Sequence, residues 1–296
     1  MTDSVNPSGV VRQGDGVSVP RLSARLSGGP GARFHDVRWV LETGSTNADA
    51  MELARQGEPE GIVLVADHQT AGRGRAGRSW TAPARAGLLL SVLLRPPAAV
   101  VDLATMAVAV SAAAALSSVA GFEPRLKWPN DLVWPGDGSA TDRKLAGILA
   151  EADWPAGSAV SAGWRPPGPH DRGVVVVGIG INVAWPQQLP EDLADIAVAI
   201  NHVVDRPVDR EDLLVALLEE LGPRYDSLVG GERASLLAEW RSRSATLGRM
   251  VRVDLGASDV EGTAVDITEE GHLVVDSLDG TRRVFAVGDV VHLRDG

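Results

Sequence analysis

The sequence predicts an α/β (α+β) fold, a mixed sheet flanked by helices, followed by a small all-β unit. Between residues 38 and 183 short apolar runs alternate with helical segments, and after Thr246 the apolar period shortens to two and stays there. A length of 296 residues with 44% hydrophobic content suffices for one large core and a small second unit.

Residues 1–33 are rich in Gly, Pro, Ser and Val without a sustained period and read as a flexible leader. Signals for a strand at 38–43, a helix at 46–56, a strand at 62–66, a Gly/Arg loop at 68–79 and a strand at 87–95 follow in order. Residues 103–122 carry no charge and are long enough to span a bilayer. Their Ala-rich composition, with Thr105, Ser111, Ser117 and Ser118, instead indicates a helix packed closely on a sheet. Strands at 125–128, 144–151 and 174–183 complete the sheet. Residues 153–173, interrupted by Pro and Gly, read as a long surface loop, and residues 136–142 as a further insertion. Helices at 210–225 and 232–244 follow, the first with Leu213, Leu214, Leu217 and Leu218 on one face. Beyond Thr246, Val251, Val253 and Leu255 alternate with polar residues, and Asp279-Gly280 marks a hairpin turn, as in a small β-barrel of about 50 residues. The expected division is a leader at 1–33, a catalytic domain at 34–245 and a small β-barrel domain at 246–296.

A formal net charge of -11 argues against a broad phosphate-binding face, so no nucleic-acid partner is expected. Nor is a membrane partner. The absence of cysteine excludes a disulfide framework, a thiolate metal cage and a cysteine nucleophile. The N-terminus has no charged start followed by an apolar run and cleavage site, so a cytoplasmic protein is expected. Of 28 Lys plus Arg only Lys127 and Lys144 are lysine, and both fall inside segments that carry candidate chemistry.

Gly72-Arg73-Gly74-Arg75-Ala76-Gly77 matches G-x-G-x-x-G, yet an extended segment follows it where a dinucleotide site needs a helix. What remains is a flexible backbone bearing Arg73, Arg75 and Arg78, able to fold over an anion, or an exposed basic loop. Thr46 and Asp49 have the spacing of a capping box. Lys127-Trp128-Pro129-Asn130-Asp131 sets a cation, an amide and a carboxylate at a strand end, which suits phosphate and magnesium as well as it suits a turn with a buried Trp. Lys144 opens an apolar strand, where a lysine is commonly just solvated. The glycines of Val177-Gly178-Ile179-Gly180-Ile181-Asn182 either admit a ligand or mark a bulge.

In order and spacing, GSTNAD, ADHQTAGRGRAGRSW, LKWPNDLVW, KLAGILAE and VGIGINV resemble the catalytic domain of biotin protein ligases. The resemblance covers about residues 38–245, and the final segment resembles that family's C-terminal β-barrel. It implies a catalytic domain related in fold to class II aminoacyl-tRNA synthetases. It also implies ATP-dependent activation of biotin as biotinyl-5'-adenylate and transfer to a lysine of a biotin carboxyl carrier domain. By similarity, Ser45, Thr46, Asn47, Gln69 and the backbone of Arg73, Gly74 and Arg75 would line the biotin pocket. Arg75 and Lys144 would meet the biotin carboxylate and the α-phosphate. Arg78, Trp80, Lys127, Asn130 and Asn182 would face ATP or the adenylate, with Asp131 on magnesium. Two alternatives stay open: a lipoate–protein ligase with the same fold and chemistry, and a module that senses biotin without modifying anything. The bifunctional members' N-terminal winged helix is not expected here, because the leader is short and irregular.

Overall fold

The structure, a computed structural model, describes residues 17–135, 142–153, 168, 171–256 and 258–293. Its larger sheet has seven strands: β1 (Asp36–Thr43), β2 (Ile62–Gln69), β3 (Gly87–Leu94), β4 (Arg125–Lys127), β5 (Asp131–Trp134), β6 (Arg143–Asp153) and β7 (Val174–Asn182). Their spatial order is β1-β2-β3-β7-β6-β5-β4, with β1 and β2 parallel and every other pair antiparallel. The parallel pair needs a crossover, supplied by helix α2 (Thr46–Arg55). The sheet is therefore mixed, as the sequence predicts.

Strand alternation decides what each face does. Along β7, Val175, Val177, Ile179 and Ile181 enter the main core. On the other face Val174 and Val176 pack with Ala50, Met51 and Ala54 of α2, and then Gly178, Gly180 and Asn182 line a cleft. The main core lies beneath α3 (Ala104–Ala120), α4 (Arg210–Val229) and α5 (Ala234–Ser242). The uncharged segment is thus the core helix expected: α3 contacts β6, β7, α4 and α5, and its small side chains permit the close approach. Gly121 ends it in the left-handed region (φ 78), where its N–H donates to Ser117 O.

Part of the expected leader is ordered. Val19–Leu26 form helix α1, whose Leu22 and Leu26 are fully buried. The following turn lies so close to α4 that a Cβ on Gly222 would fall 2.0 Å from Pro30 O. Burial of these leucines, with Phe34, outweighs the Gly and Pro content that suggested flexibility. Residues 1–16, most of 153–173 and all of 136–142 except Asp142 lie outside the described residues.

The second sheet holds β8 (Met250–Asp254), β9 (Asp259–Ile267), β10 (Leu273–Ser277), β11 (Arg282–Phe285) and β12 (Asp289–His292), all antiparallel in the order β11-β10-β9-β8-β12. The β10–β11 connection turns at Gly280 (φ 82), as expected of Asp-Gly. Side-chain contacts join this sheet to the first. Trp128 Nε1 donates to Gly271 O at 3.1 Å, and Asp142 accepts from Arg249 at 2.7 Å and pairs with His292 at 3.1 Å.

Candidate active site

The cleft on the α2 face of the sheet has a volume of about 410 Å³, enough for a small ligand. It brings together Ser45, Thr46, Asn47, Gln69, Arg73, Gly74, Arg75, Arg78, Trp80, Asn130, Lys144 and Asn182, twelve of the fourteen residues singled out in the sequence. The other two, Lys127 and Asp131, face each other across the β4–β5 hairpin. Asp131 reaches the cleft by an ion pair with Lys144 Nζ at 2.7 Å.

At one end, the start of α2 meets the end of β2. Ser45 is the N-cap but its side chain makes no capping bond, so the expected Thr46–Asp49 box does not form. Instead Gln69 Oε1 accepts from Thr46 N at 2.8 Å and from its hydroxyl at 3.0 Å. A side chain from the neighbouring strand thus satisfies the first helical N–H, which aims α2's N-terminus at the cleft. Beneath it, Ser91 Oγ lies 2.7 Å from Thr46 Oγ1 and 2.6 Å from Asn47 Oδ1.

The loop that follows β2 turns through Arg75–Gly77 and leaves as extended chain, so no helix N-terminus faces a phosphate there. Ala76 sits in the left-handed region (φ 53, ψ 36), unfavourable for a residue with a Cβ. Arg73 pairs with Glu151 at 3.0 Å. Arg75 donates to Asn130 Oδ1 at 3.2 Å and to Gly288 O at 3.3 Å, and pairs with Asp289 at 3.4 Å; Arg78 pairs with Asp289 at 2.8 Å. One carboxylate of the second sheet therefore engages two of the loop's three arginines.

Trp80 lies flat on the sheet. A Cβ on Gly180 would fall 2.6 Å from its ring and one on Gly147 2.9 Å, so the two glycines are what let the indole lie there. Lys144 Nζ stands 5.5 Å from the ring centroid. The indole N–H is buried and has no hydrogen-bond partner among the described residues.

Lys127 is half-buried, and burial pushes its ammonium below the usual lysine range against the opposing pull of Asp131. Asn130 Nδ2 donates to Ile148 O at 2.6 Å, and Asn182 Nδ2 to Val198 O at 3.1 Å. Sequence reasoning missed Ser91, Glu151, Asp289 and the apolar wall of Trp185, Leu189 and Leu193. A serine inside the apolar strand GLLLSVLL and a glutamate closing KLAGILAE were the available signals. Nothing local marks Asp289.

The Biotin/lipoate A/B protein ligase family matches residues 42–156, and the Biotin protein ligase C terminal domain matches residues 246–293. The biotin–[acetyl-CoA-carboxylase] ligase of Mycobacterium tuberculosis is 38% identical over 280 residues, covering 90% of this chain and 92% of that protein. The bifunctional ligase/repressor BirA of Bacillus subtilis is 30% identical, over 86% of this chain and 71% of its own length. Among solved structures, the biotin protein ligase of Aquifex aeolicus in complex with biotin and ATP superposes with a TM-score of 0.69 at 26% identity, covering 88% of this chain and 99% of that one. With a relative this similar along nearly its whole length, and with the motif residues gathered in one cleft, the chain belongs to the biotin protein ligase family.

Proposed function

We propose that this protein is an ATP-dependent biotin–[acetyl-CoA-carboxylase] ligase, acting in the cytoplasm on the carrier domain of a biotin-dependent carboxylase. The observation that carries the reading is a single cleft with neutral hydroxyl and amide groups at one end and Lys144 and Arg75 towards the other. A neutral, hydrogen-bonding end suits the ureido ring of biotin. Ser45, Thr46, Gln69 and the backbone of Arg73–Gly74–Arg75 surround it, with Asn47 behind. The cationic end suits a carboxylate meeting a phosphate.

Two anions must react there. A biotin carboxylate oxygen attacks the α-phosphorus, the bond to the β-phosphate bridge breaks, and diphosphate leaves with the electron pair. Lys144 and Arg75 offset the repulsion and stabilise charge as it builds, with no protein nucleophile. Trp80, Arg78, Lys127, Asn130 and Asn182 hold the nucleotide. A carrier lysine amine then attacks the acyl carbon of biotinyl-5'-adenylate, AMP departs, and the amine loses a proton. The loop's arginines close over the adenylate and keep water from the mixed anhydride.

Among the described residues no three His, Asp or Glu side chains gather as a metal cage. The Asp131 carboxylate, paired with Lys144 beside the cleft, is the oxygen that could serve as the protein's ligand to a magnesium ion held mainly by the triphosphate and water. Magnesium would supply charge neutralisation on the phosphates.

The test is transfer of labelled biotin, with ATP and magnesium, to a biotin carboxyl carrier domain. Label on the carrier lysine is expected. Efficient lipoylation without biotinylation would overturn the reading.

A further inference from the structure

Glu151, near the end of β6, carries a contact that joins the cleft floor to the loop. Its Oε2 accepts from Asn47 Nδ2 at 2.9 Å and from Arg73 at 3.0 Å. Both N–H groups of Asn47 are engaged, since Nδ2 also donates to Leu149 O at 3.1 Å, and Oδ1 already accepts from Ser91 Oγ at 2.6 Å. Gly178 makes room for the amide, because a Cβ there would fall 2.1 Å from Asn47 Oδ1. The contacts run on from Ser91 to Thr46 and Gln69. A chain of polar contacts thus leads from the loop, through one carboxylate, to the neutral end of the cleft.

We propose that Glu151 is a positioning residue of the ligase reaction, fixing the backbone at Arg73 over the neutral end and coupling it to Asn47. This rests on the ligase reading above. On that reading Asn47 links Glu151 and Ser91 at the neutral end of the pocket. A solvent-exposed Arg–Glu pair alone contributes little. Here Asn47, 5% exposed, also holds the carboxylate, so less of its freedom is lost to the pair with Arg73.

The variants Glu151→Ala, Glu151→Gln and Arg73→Gln and the double variant Glu151→Ala/Arg73→Gln test this in the full chain. Glu151→Ala is expected to raise the KM for biotin and the release rate of biotinyl adenylate about tenfold, as for a lost charge-assisted bond, with the KM for ATP held within about twofold. Glu151→Gln, which keeps an acceptor for Asn47, recovers most of the biotin KM. Arg73→Gln shows the fast release, and the double variant is no worse than its more severe parent. Wild-type release from a folded Glu151→Ala, equal rises in both KM values, or additive effects overturn the proposal. If Glu151→Ala does not fold, Arg73→Gln decides, because it alters an exposed loop side chain; wild-type release there overturns it. Failure of the ligase reading itself is separate, visible as no biotinyl adenylate from the unsubstituted chain.

Discussion

At the α2 end of the cleft the groups that Thr46, Asn47 and Gln69 present are neutral and largely satisfied by protein partners: Gln69 by Thr46, Asn47 by Ser91, Leu149 and Glu151. Towards β4 and β5 the groups are ionic, and they hold each other: Lys144 on Asp131, Arg75 and Arg78 on Asp289. The first end is set before a ligand arrives and selects by fit. On the proposed reading the second exchanges internal partners for phosphate and carboxylate, so its charges are the ones that shift during reaction. Substitutions at the ionic end should therefore cost rate, and those at the neutral end affinity.

The largest expected effect is at Lys144. Loss of one fixed cation at developing charge costs about 3–4 kcal/mol, so Lys144→Ala is expected to slow adenylate formation by about 10²–10³-fold. Lys144→Arg should fail comparably. The site of a Cβ on Gly147 is only 2.9 Å from Lys144 Cε, with Trp80 above, and a planar guanidinium is wider than an ammonium. Pre-steady-state adenylate formation checks both variants, with an unchanged Tm as the control. Near-normal adenylation by Lys144→Arg would break the division between the two ends.

A smaller effect is expected at Arg75, which touches Asn130, Gly288 and Asp289 at once. Arg75→Gly removes those anchors and leaves the neighbouring glycines mobile, so adenylate should leak about tenfold faster and label bystander lysines. Chromatographic retention of the adenylate on the protein measures this. Retention equal to wild type would show that the loop closes without its arginine.

The smallest effect is on stability, at the junction of the two sheets. Burial pulls the Asp142 carboxyl upward, but the His292 hydrogen bond and the Arg249 charge outweigh it and hold the group below its ordinary 3.8. Its contribution is therefore fully present above the unfolded pKa and is lost as pH falls through the lower folded value. Asp142→Asn should lower Tm modestly above about pH 5, and the gap should close in stronger acid. A gap that widens on acidification would contradict this.

How much of this was legible in the sequence follows from the range of each interaction. The apolar run along Val174–Asn182 depends on neighbours in sequence and announced the strand, while its glycines left a ligand approach or a bulge open. Lys144 and the arginine loop were legible because charge interrupts apolar or glycine-rich context. Helix α1 carried a weak signal, Val19, Leu22 and Leu26 at helical spacing after Ser18, which the surrounding Gly and Pro obscured. Ser45 displaced Thr46 as N-cap because Gln69, 23 residues on, supplies the acceptor. Glu151 and Asp289 were out of reach for the same reason: their partners, Asn47 and Arg75, lie 104 and 214 residues away.

The claim that the neutral end selects the acid while the ionic end activates it is tested most directly without a carrier. The unsubstituted chain is mixed with ATP, magnesium and either biotin or lipoate, and acyl adenylate and diphosphate are counted in a single turnover. The account predicts one biotinyl adenylate per active chain, retained on the protein, and little or none from lipoate. Equal or faster adenylation of lipoate would contradict it.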